Sequence, residues 1–372
     1  MDLINMNCIM HIPWKMIDES VAASEIRPRK MKKAFEDTGY NVFFITGTAA
    51  ERNRQIKELK RRIELGENYD FLYSESSTLP MQLTESHHLP THPLTDVKLF
   101  ALAKRKGIPI GLFYRDFYWA FPEIHRFGKI KTYYANFFHK LDLKIYNHYL
   151  NIIYFPGDQY DKLLKKIKYL DDRLEFHFLP SGVDLSYQHY DSPNNYFAYI
   201  GEIEPGRHNL KVLMQTFNLF PQYELRICIP EKSWEKNKSY YEQFLSPNIK
   251  ILHLVNEEAQ DFLSYAKYAF FYFPDDEYRN YALPYKLFEY VGHNLPIICN
   301  ESDYSGALVK KLGIGYPIPH SVEALTEWLQ NIPSEEDYKQ MCAHIELIKK
   351  ENSWQKRAET VRDTLIKYRK RT

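Results

Sequence analysis

ALPYKLFEYVGHNLPII, residues 282–298, decides how this chain is read. Pro284 suits the first turn of a helix, where its missing N–H would have no partner in any case. The helix runs to Gly292, and the apolar run that starts at Pro296 reads as a strand. Lys286 stands near the positive end of the helix dipole, where a cation is disfavoured by a few tenths to about 1 kcal/mol. The same helix end offers free N–H groups and is a ready anion site, so a bound anion would reverse the sign of that cost. Glu289 lies one turn further on, too deep to act as a cap. It has two readings. It can accept hydrogen bonds from a ribose diol beside a helix-bound pyrophosphate, or it can form an i,i+3 ion pair with Lys286 on a solvated face, worth about 0.2–0.5 kcal/mol.

Strands and helices alternate on both sides of this stretch. Before it, strands fall at residues 8–14, 41–46, 71–73, 109–114, 152–155 and 176–179. Helices fall between them at 24–38, 54–65, 97–106 and 159–169. The pattern restarts with a strand at 196–200 ending in Gly201, a helix at 209–220, strands at 224–229, 249–252 and 268–273, and a helix at 259–266. Helices at 322–330, 335–350 and 354–367 close the chain. Such alternation with short loops predicts parallel sheets wrapped by helices. The expected fold is α/β, with two Rossmann-like doubly wound domains facing across a cleft. Residues 1–185 form the first domain and 186–350 the second; 351–372 form a C-terminal helix that can cross back to the first. Ligands of open α/β sheets bind beyond the carboxyl ends of the strands, which singles out the loops after Trp14, Tyr114, Gly201 and Phe273.

A chain of 372 residues is too long for one ordinary core. Its 49 basic and 48 acidic side chains leave a net charge of +1, so no whole-chain field argues for nucleic acid. The four cysteines form no C-x-x-C pair, which disfavours a disulfide framework and a zinc cluster. Thirty tyrosines and 23 phenylalanines point to a tyrosine-rich core, with sugar-stacking surfaces as the alternative. The N-terminal residues lack a basic n-region and a long apolar h-region, and no stretch reaches about 18 uninterrupted apolar residues. A cytoplasmic protein is expected.

Three further features carry chemistry. Asp116 follows the apolar strand PIGLFY and can orient an acceptor hydroxyl, while Arg115 either pairs with it or reaches a phosphate. HHLPTH places His88 and His92 four apart, but Pro90 and Pro93 forbid the helix that would make them a metal pair. A plain surface loop or an acceptor-contacting loop fits better. Finally, Phe127, Ile130, Tyr134, Phe137, Phe138, Leu141 and Ile145 recur at helical spacing, interleaved with Arg126, Lys129, Lys131, Lys140 and Lys144. Such a helix either packs on the core with a solvated basic face or lies on an anionic membrane surface.

The segment PYKLFEYVGHNLPII, taken with PSGVD at residues 180–184, resembles the GT-B nucleotide-sugar glycosyltransferases, specifically the retaining family 4 type. Ser181-Gly182-Val183-Asp184 matches that family's linker, Glu289-Tyr290 its Glu-aromatic helix end, and the turn leading to Pro296-Ile297 its Gly-x-Pro-Val/Ile turn. The strand and loop from Tyr199-Ile200-Gly201 to Arg207-His208-Asn209 match the first loop of the family's second domain. RDFYWAFPE, residues 115–123, is similar to a segment of polysaccharide glycosyltransferases, and Ser353-Trp354 to the start of the last helix.

The resemblance implies a retaining, metal-independent hexosyltransferase. A nucleotide-diphospho-sugar, a UDP-sugar first among them, is the donor, and a saccharide or lipid-linked saccharide of surface-polysaccharide synthesis is the acceptor. No cofactor is implied, since the nucleotide sugar is a substrate. Glu289 would hold the ribose, Arg207 and Lys286 the diphosphate beside Gly201, and backbone near Leu254 and Val255 the base. Ser24, His88, Arg115 and Asp116 would serve the acceptor, with Asp116, Arg207, Lys286 and Glu289 closest to the chemistry. Residues 125–150 would touch the inner face of the membrane. No Asp-x-Asp triplet occurs, the motif with which the other main glycosyltransferase fold binds Mn²⁺ or Mg²⁺.

The chain also departs from the family's pattern. Tyr281 stands where a partner glutamate is expected, Glu202 where an arginine is, and the glycine pair of the first loop is missing, with Ala22, Ala23 and Ser24 in its place. Arg279 is the candidate to supply the lost charge. These departures keep two alternatives open: a non-catalytic glycosyltransferase-like partner protein, and a sugar-nucleotide epimerase or hydrolase of the same fold.

Overall fold

The computed structural model describes residues 6–17, 23–121, 128–167, 169–190 and 196–369. The chain divides into two units, Met1–Ser181 with Trp354–Thr372, and Gly182–Ser353. Each is built on one six-stranded, wholly parallel sheet.

In the first unit the sheet order is β2 (Tyr40–Ile45), β1 (Met6–His11), β3 (Leu72–Glu75), β4 (Ile110–Phe113), β5 (Ile152–Phe155) and β6 (Glu175–Phe178). This is the flavodoxin-like order 2-1-3-4-5 with a strand added at one edge, and it reverses between β1 and β3. The second sheet runs β12 (Gly315–Ile318), β11 (Ile297–Asn300), β10 (Ala266–Phe271), β7 (Tyr196–Ile200), β8 (Leu225–Cys228) and β9 (Ile249–Leu252). Renumbered within its unit, this is the dinucleotide-binding order 3-2-1-4-5-6, reversing between β7 and β10. Runs such as IIYF in β5 and YFAYI in β7 are apolar on both faces because helices cover both sides of a parallel sheet.

Helix α1 (Ala23–Asp37) and the final helix α13 (Trp354–Ile366) pack against one another in the first unit. α13 also reaches β4, where a Cβ on Gly111 would stand 3.0 Å from a methyl of Leu365. Helix α2 (Ala49–Glu64) begins earlier than the sequence suggested. Thr48 and Glu51 form a reciprocal capping box that holds its first turn. Helix α3 (Thr95–Arg105), α4 (Lys129–Tyr149) and α5 (Tyr160–Ile167) complete the unit.

In the second unit, α6 (Lys211–Phe217), α8 (Asn256–Ser264), α9 (Tyr285–Gly292), α11 (Val322–Gln330) and α12 (Glu335–Glu351) fall near their expected places. Three elements were not read from the sequence: α7 (Glu231–Tyr241), α10 (Tyr304–Leu312) and β12. The aromatic excess goes to the core. Tyr73, Tyr154, Tyr199, Tyr241, Tyr268, Tyr272 and Tyr290 are among the largest fully buried side chains. Phe197 stacks on Tyr268 with ring centroids 5.4 Å apart.

The first unit also buries charge. Arg52 grips both oxygens of Asp96, at 2.8 and 3.0 Å, and His11 Nε2 lies 3.0 Å from the same carboxylate. Burial alone would raise the Asp96 pKa, but His11 and Arg52 hold it below the usual range. Arg27 donates to Glu75 at 2.6 Å and to Tyr73 at 3.0 Å, with its guanidinium 3.5 Å above the Phe113 ring.

Candidate functional site

Four of the residues expected to bind the donor gather at the carboxyl end of the second sheet, where the strand order reverses. β7 ends at Gly201, whose φ of +149° suits glycine. A Cβ there would lie 2.7 Å from Cε and 2.8 Å from Nζ of Lys286, so the glycine makes room for the lysine. Lys286 is the second residue of α9, and Pro284 is its N-cap rather than a member of the first turn. Tyr290 pins the helix to this point. Its hydroxyl accepts the Ile200 N–H at 3.2 Å and donates to the Phe270 carbonyl at 3.3 Å, bridging the ends of β7 and β10.

The loop after β7 turns back on itself, with the N–H groups of Arg207 and His208 both donating to the Glu204 carbonyl, at 2.9 and 2.8 Å. Arg279, from the short 3-10 helix Glu277–Asn280 in the loop after β10, donates through Nη2 to the Arg207 carbonyl. Its guanidinium packs 4.5 Å above the Phe273 ring, and that of Arg207 lies 5.9 Å from the Tyr278 ring. Arg279 is buried, and its Nε has no hydrogen-bond partner among the described residues. Burial pulls its pKa down, opposed at longer range by Asp303 and Asp276. Lys286 is likewise held below its ordinary value by burial, opposed by Glu289, Cys228 and Glu202. Among the described residues, no carboxylate comes within 4.0 Å of either cation. The i,i+3 ion pair between Lys286 and Glu289 is therefore not formed.

Glu289 instead accepts a hydrogen bond from Gln260 Nε2 of α8 at 3.1 Å. Gln260 Oε1 lies 2.8 Å from His293 Nε2, and His293 stacks on Tyr187 at 4.5 Å. Burial lowers the His293 pKa to about 4, so the ring is neutral at physiological pH. Its Nδ1 lies 3.1 Å from the Gln188 carbonyl and 3.3 Å from Ser264 Oγ, whose own hydroxyl donates to the Gln260 carbonyl at 3.0 Å. This relay was missed in the sequence. Cys228, at the end of β8, feels both Lys286 and Glu289, and its Sγ donates to the Leu254 carbonyl at 3.5 Å. Leu254 thus borders the same corner, with the exposed Val255 next to it. Tyr281 caps the 3-10 helix rather than adding charge, and the Glu202 side chain is exposed.

The first unit treats its candidates differently. Arg115 does not pair with Asp116. It lies 3.5 Å from Glu75 Oε2, donates to the Ser24 carbonyl at 3.2 Å, and packs 5.0 Å over the Trp14 ring. Asp116 accepts from the Thr78 hydroxyl at 2.6 Å and stays partly exposed. Ser24, Arg115 and Asp116 thus border one loop cluster at the ends of β3 and β4. His88 does not join them through any hydrogen bond or ion pair among the described residues. It sits on an exposed turn with φ of +53°, its ring on the Leu83 carbonyl. Ala22 and residues 122–127, including part of RDFYWAFPE, lie outside the described residues, as do residues 191–195 of the expected hinge.

Two doubly wound sheets of this kind define the GT-B glycosyltransferase fold, and solved structures of that class superpose along the chain. A glycosyltransferase from Rickettsia africae matches with a TM-score of 0.65 at 11% identity, over 99% of this chain and 100% of its own. Sucrose-phosphate synthase from Thermosynechococcus elongatus gives 0.62 at 10%, covering 96% and 98%. HepE of Anabaena, crystallised with UDP and glucose, gives 0.61 at 11%, covering 97% and 99%. By sequence, residues 227–354 match the family described as "Glucosyltransferase 3-like, C-terminal domain". That span carries Lys286, Glu289 and Arg279. No curated protein matches the chain.

Proposed function

We propose that this protein transfers a hexose from a nucleotide-diphospho-sugar, foremost a UDP-sugar, to a saccharide or lipid-linked saccharide acceptor, with retention at the anomeric carbon. The observation that carries the reading is a pair of cations, the buried Arg279 and the partly exposed Lys286, near the carboxyl ends of β7 and β10 with no carboxylate within 4.0 Å among the described residues. Moving charge into a poorly solvated site is costly unless a counter-charge arrives. A departing diphosphate is such a counter-charge, and it gains most in the transition state, when its negative charge is fully developed. Arg207 and Arg279, joined through the Arg207 carbonyl, flank the phosphates from one side. Lys286 and the positive end of the α9 dipole meet them from the other. Glu289, one turn deeper, takes the ribose diol. The base lies along the backbone of Leu254 and Val255. The UDP bound to HepE supports the choice of nucleotide.

In the first unit, Asp116 orients the attacking hydroxyl, held by Thr78, while Arg115 shapes the loop through Glu75 and Ser24. Metal independence belongs to this reading, with Lys286, Arg207 and Arg279 neutralising the leaving group. The acceptor is a surface-polysaccharide or glycoconjugate precursor, which places the work in the cytoplasm at the inner face of the membrane.

The test is turnover of UDP-sugars by Lys286→Ala and Glu289→Ala. Each is expected to fall at least about tenfold, or about 1.4 kcal/mol. Near-wild-type turnover in both would remove the site assignment. Calorimetry with UDP separates an enzyme from a non-catalytic partner, which would bind none. Product analysis with and without acceptor separates transfer from epimerisation and hydrolysis.

A further inference from the structure

The first three turns of α4 turn an apolar stripe towards solvent. Ile130, Tyr133, Tyr134 and Phe137 are 87%, 78%, 39% and 58% exposed. Their spacing of i, i+3, i+4 and i+7 sets them on one side of the helix. The residues that α4 buries, Phe138, His139, Asp142, Leu143 and Tyr146, fall on the other. Single exposed apolar residues are ordinary, but four large neighbours in one stripe mark an interaction surface. The sequence had left open whether this helix packs on the core or faces outward. It does both, on opposite sides. Arg126 and Phe127 lie outside the described residues.

The charges round the stripe have one sign. Lys129, Lys131, Lys140 and Lys144 are exposed, and the helix's one acidic residue, Asp142, is buried. Lys140 Nζ stands 5.4 Å over the ring of Tyr169, which is also exposed and widens the aromatic rim.

We propose that this face seats the protein on an anionic lipid bilayer. The helix lies in the plane of the surface, with its stripe among the headgroups and its lysines on lipid phosphates and carboxylates. Side chains as exposed as Ile130 and Tyr133 protrude rather than line a groove. A fluid bilayer closes round such side chains, whereas a folded partner needs a matching pocket. Tyrosine, apolar in body and polar at its tip, suits the membrane–water interface, and lysine stems let the ammonium reach it. The helix rests on the surface and does not cross it. Among the described residues, no helix is long and apolar enough to span. The proposal deepens the reading above by supplying the surface at which a lipid-linked acceptor is met, but vesicle binding itself requires no turnover.

The experiment is cosedimentation of the full chain with extruded vesicles, either neutral phosphatidylcholine or phosphatidylcholine with about one-third phosphatidylserine. Binding is expected to be at least about tenfold stronger to the anionic vesicles and to weaken as salt screens the charges. The double variants Ile130→Ser/Phe137→Ser and Lys129→Glu/Lys131→Glu are each expected to lose at least about tenfold of that binding. Calorimetric affinity for UDP should stay at the wild-type value, and a wild-type urea midpoint of the first unit shows that both variants fold. Equal binding to both vesicle types, or none to either, overturns the proposal. So does a dimer in lipid-free sedimentation velocity that Ile130→Ser/Phe137→Ser dissolves, since the face then belongs to a second copy. Vesicle binding without UDP binding would defeat the transferase reading and leave the docking face standing.

Discussion

Both sheets gather charge at their carboxyl ends beside the strand where the order reverses, and they treat it in opposite ways. In the first unit the charges are matched on the spot. Arg52 and His11 hold Asp96, and Arg27 and Arg115 hold Glu75. In the second unit Lys286 and Arg279 have no carboxylate within 4.0 Å among the described residues. A paired network has its counter-charges in place as it stands and fixes loops, even where Arg27 Nε and Glu75 Oε2 make no hydrogen bond among the described residues. An unmatched pair of cations is what a bound anion would complete, as the proposed function has it. One architecture therefore supplies a settled corner and a receptive one, and the difference lies in whether acid accompanies base.

The strongest way to break this contrast is Asp96→Ala. It strands Arg52 and His11 in the first unit and should cost about 3–5 kcal/mol. The expected readout is a lower urea midpoint for that unit with unchanged affinity for UDP. Unchanged stability would mean that the network does not hold the corner.

Lys286→Met should do the reverse in nucleotide-free protein. The folded pKa of Lys286 is pulled below its unfolded value, so its charge opposes folding wherever it is protonated in both states. That opposition fades as pH rises through the lowered pKa towards about 10.4. Urea melts are expected to find Lys286→Met more stable than wild type at neutral pH, with the gap closing at alkaline pH. A variant less stable at neutral pH would place Lys286 among the matched charges and erase the contrast.

A smaller effect sharpens it. Gln260→Ala removes the hydrogen bond that orients Glu289 and should weaken UDP binding about fivefold, near 1 kcal/mol, by calorimetry. Affinity equal to wild type would show that Glu289 needs no guide.

Much of this was legible from residue type and period. β5, β7, β9 and α11 fall on the residues that the apolar pattern marks. α7 was not, because EKSWEKNKSYY buries only Trp234 and Tyr241 and shows no apolar stripe. β12 reads GYPI, with a glycine and a proline that argue against a strand. It exists because it lies at the sheet edge, where proline is tolerated. At the site, Lys286, Glu289 and Arg207 stood out by their place relative to a helix start and a strand end. Gln260 and His293 did not, since their meeting depends on how α8 lies beside α9, which no spacing along the chain records. Arg115 was read against its neighbour Asp116, but its true partner, Glu75, comes from another strand.

The last helix belongs to the unit that is made first. Ala358, Val361 and Leu365 of α13 are buried there, with Leu365 seated against Gly111 of β4. On the ribosome, the whole second sheet emerges before that helix does. The later-made unit can therefore finish its core while the earlier one still exposes an unfilled side to chaperones, an inversion of the usual N-terminal-first order of folding.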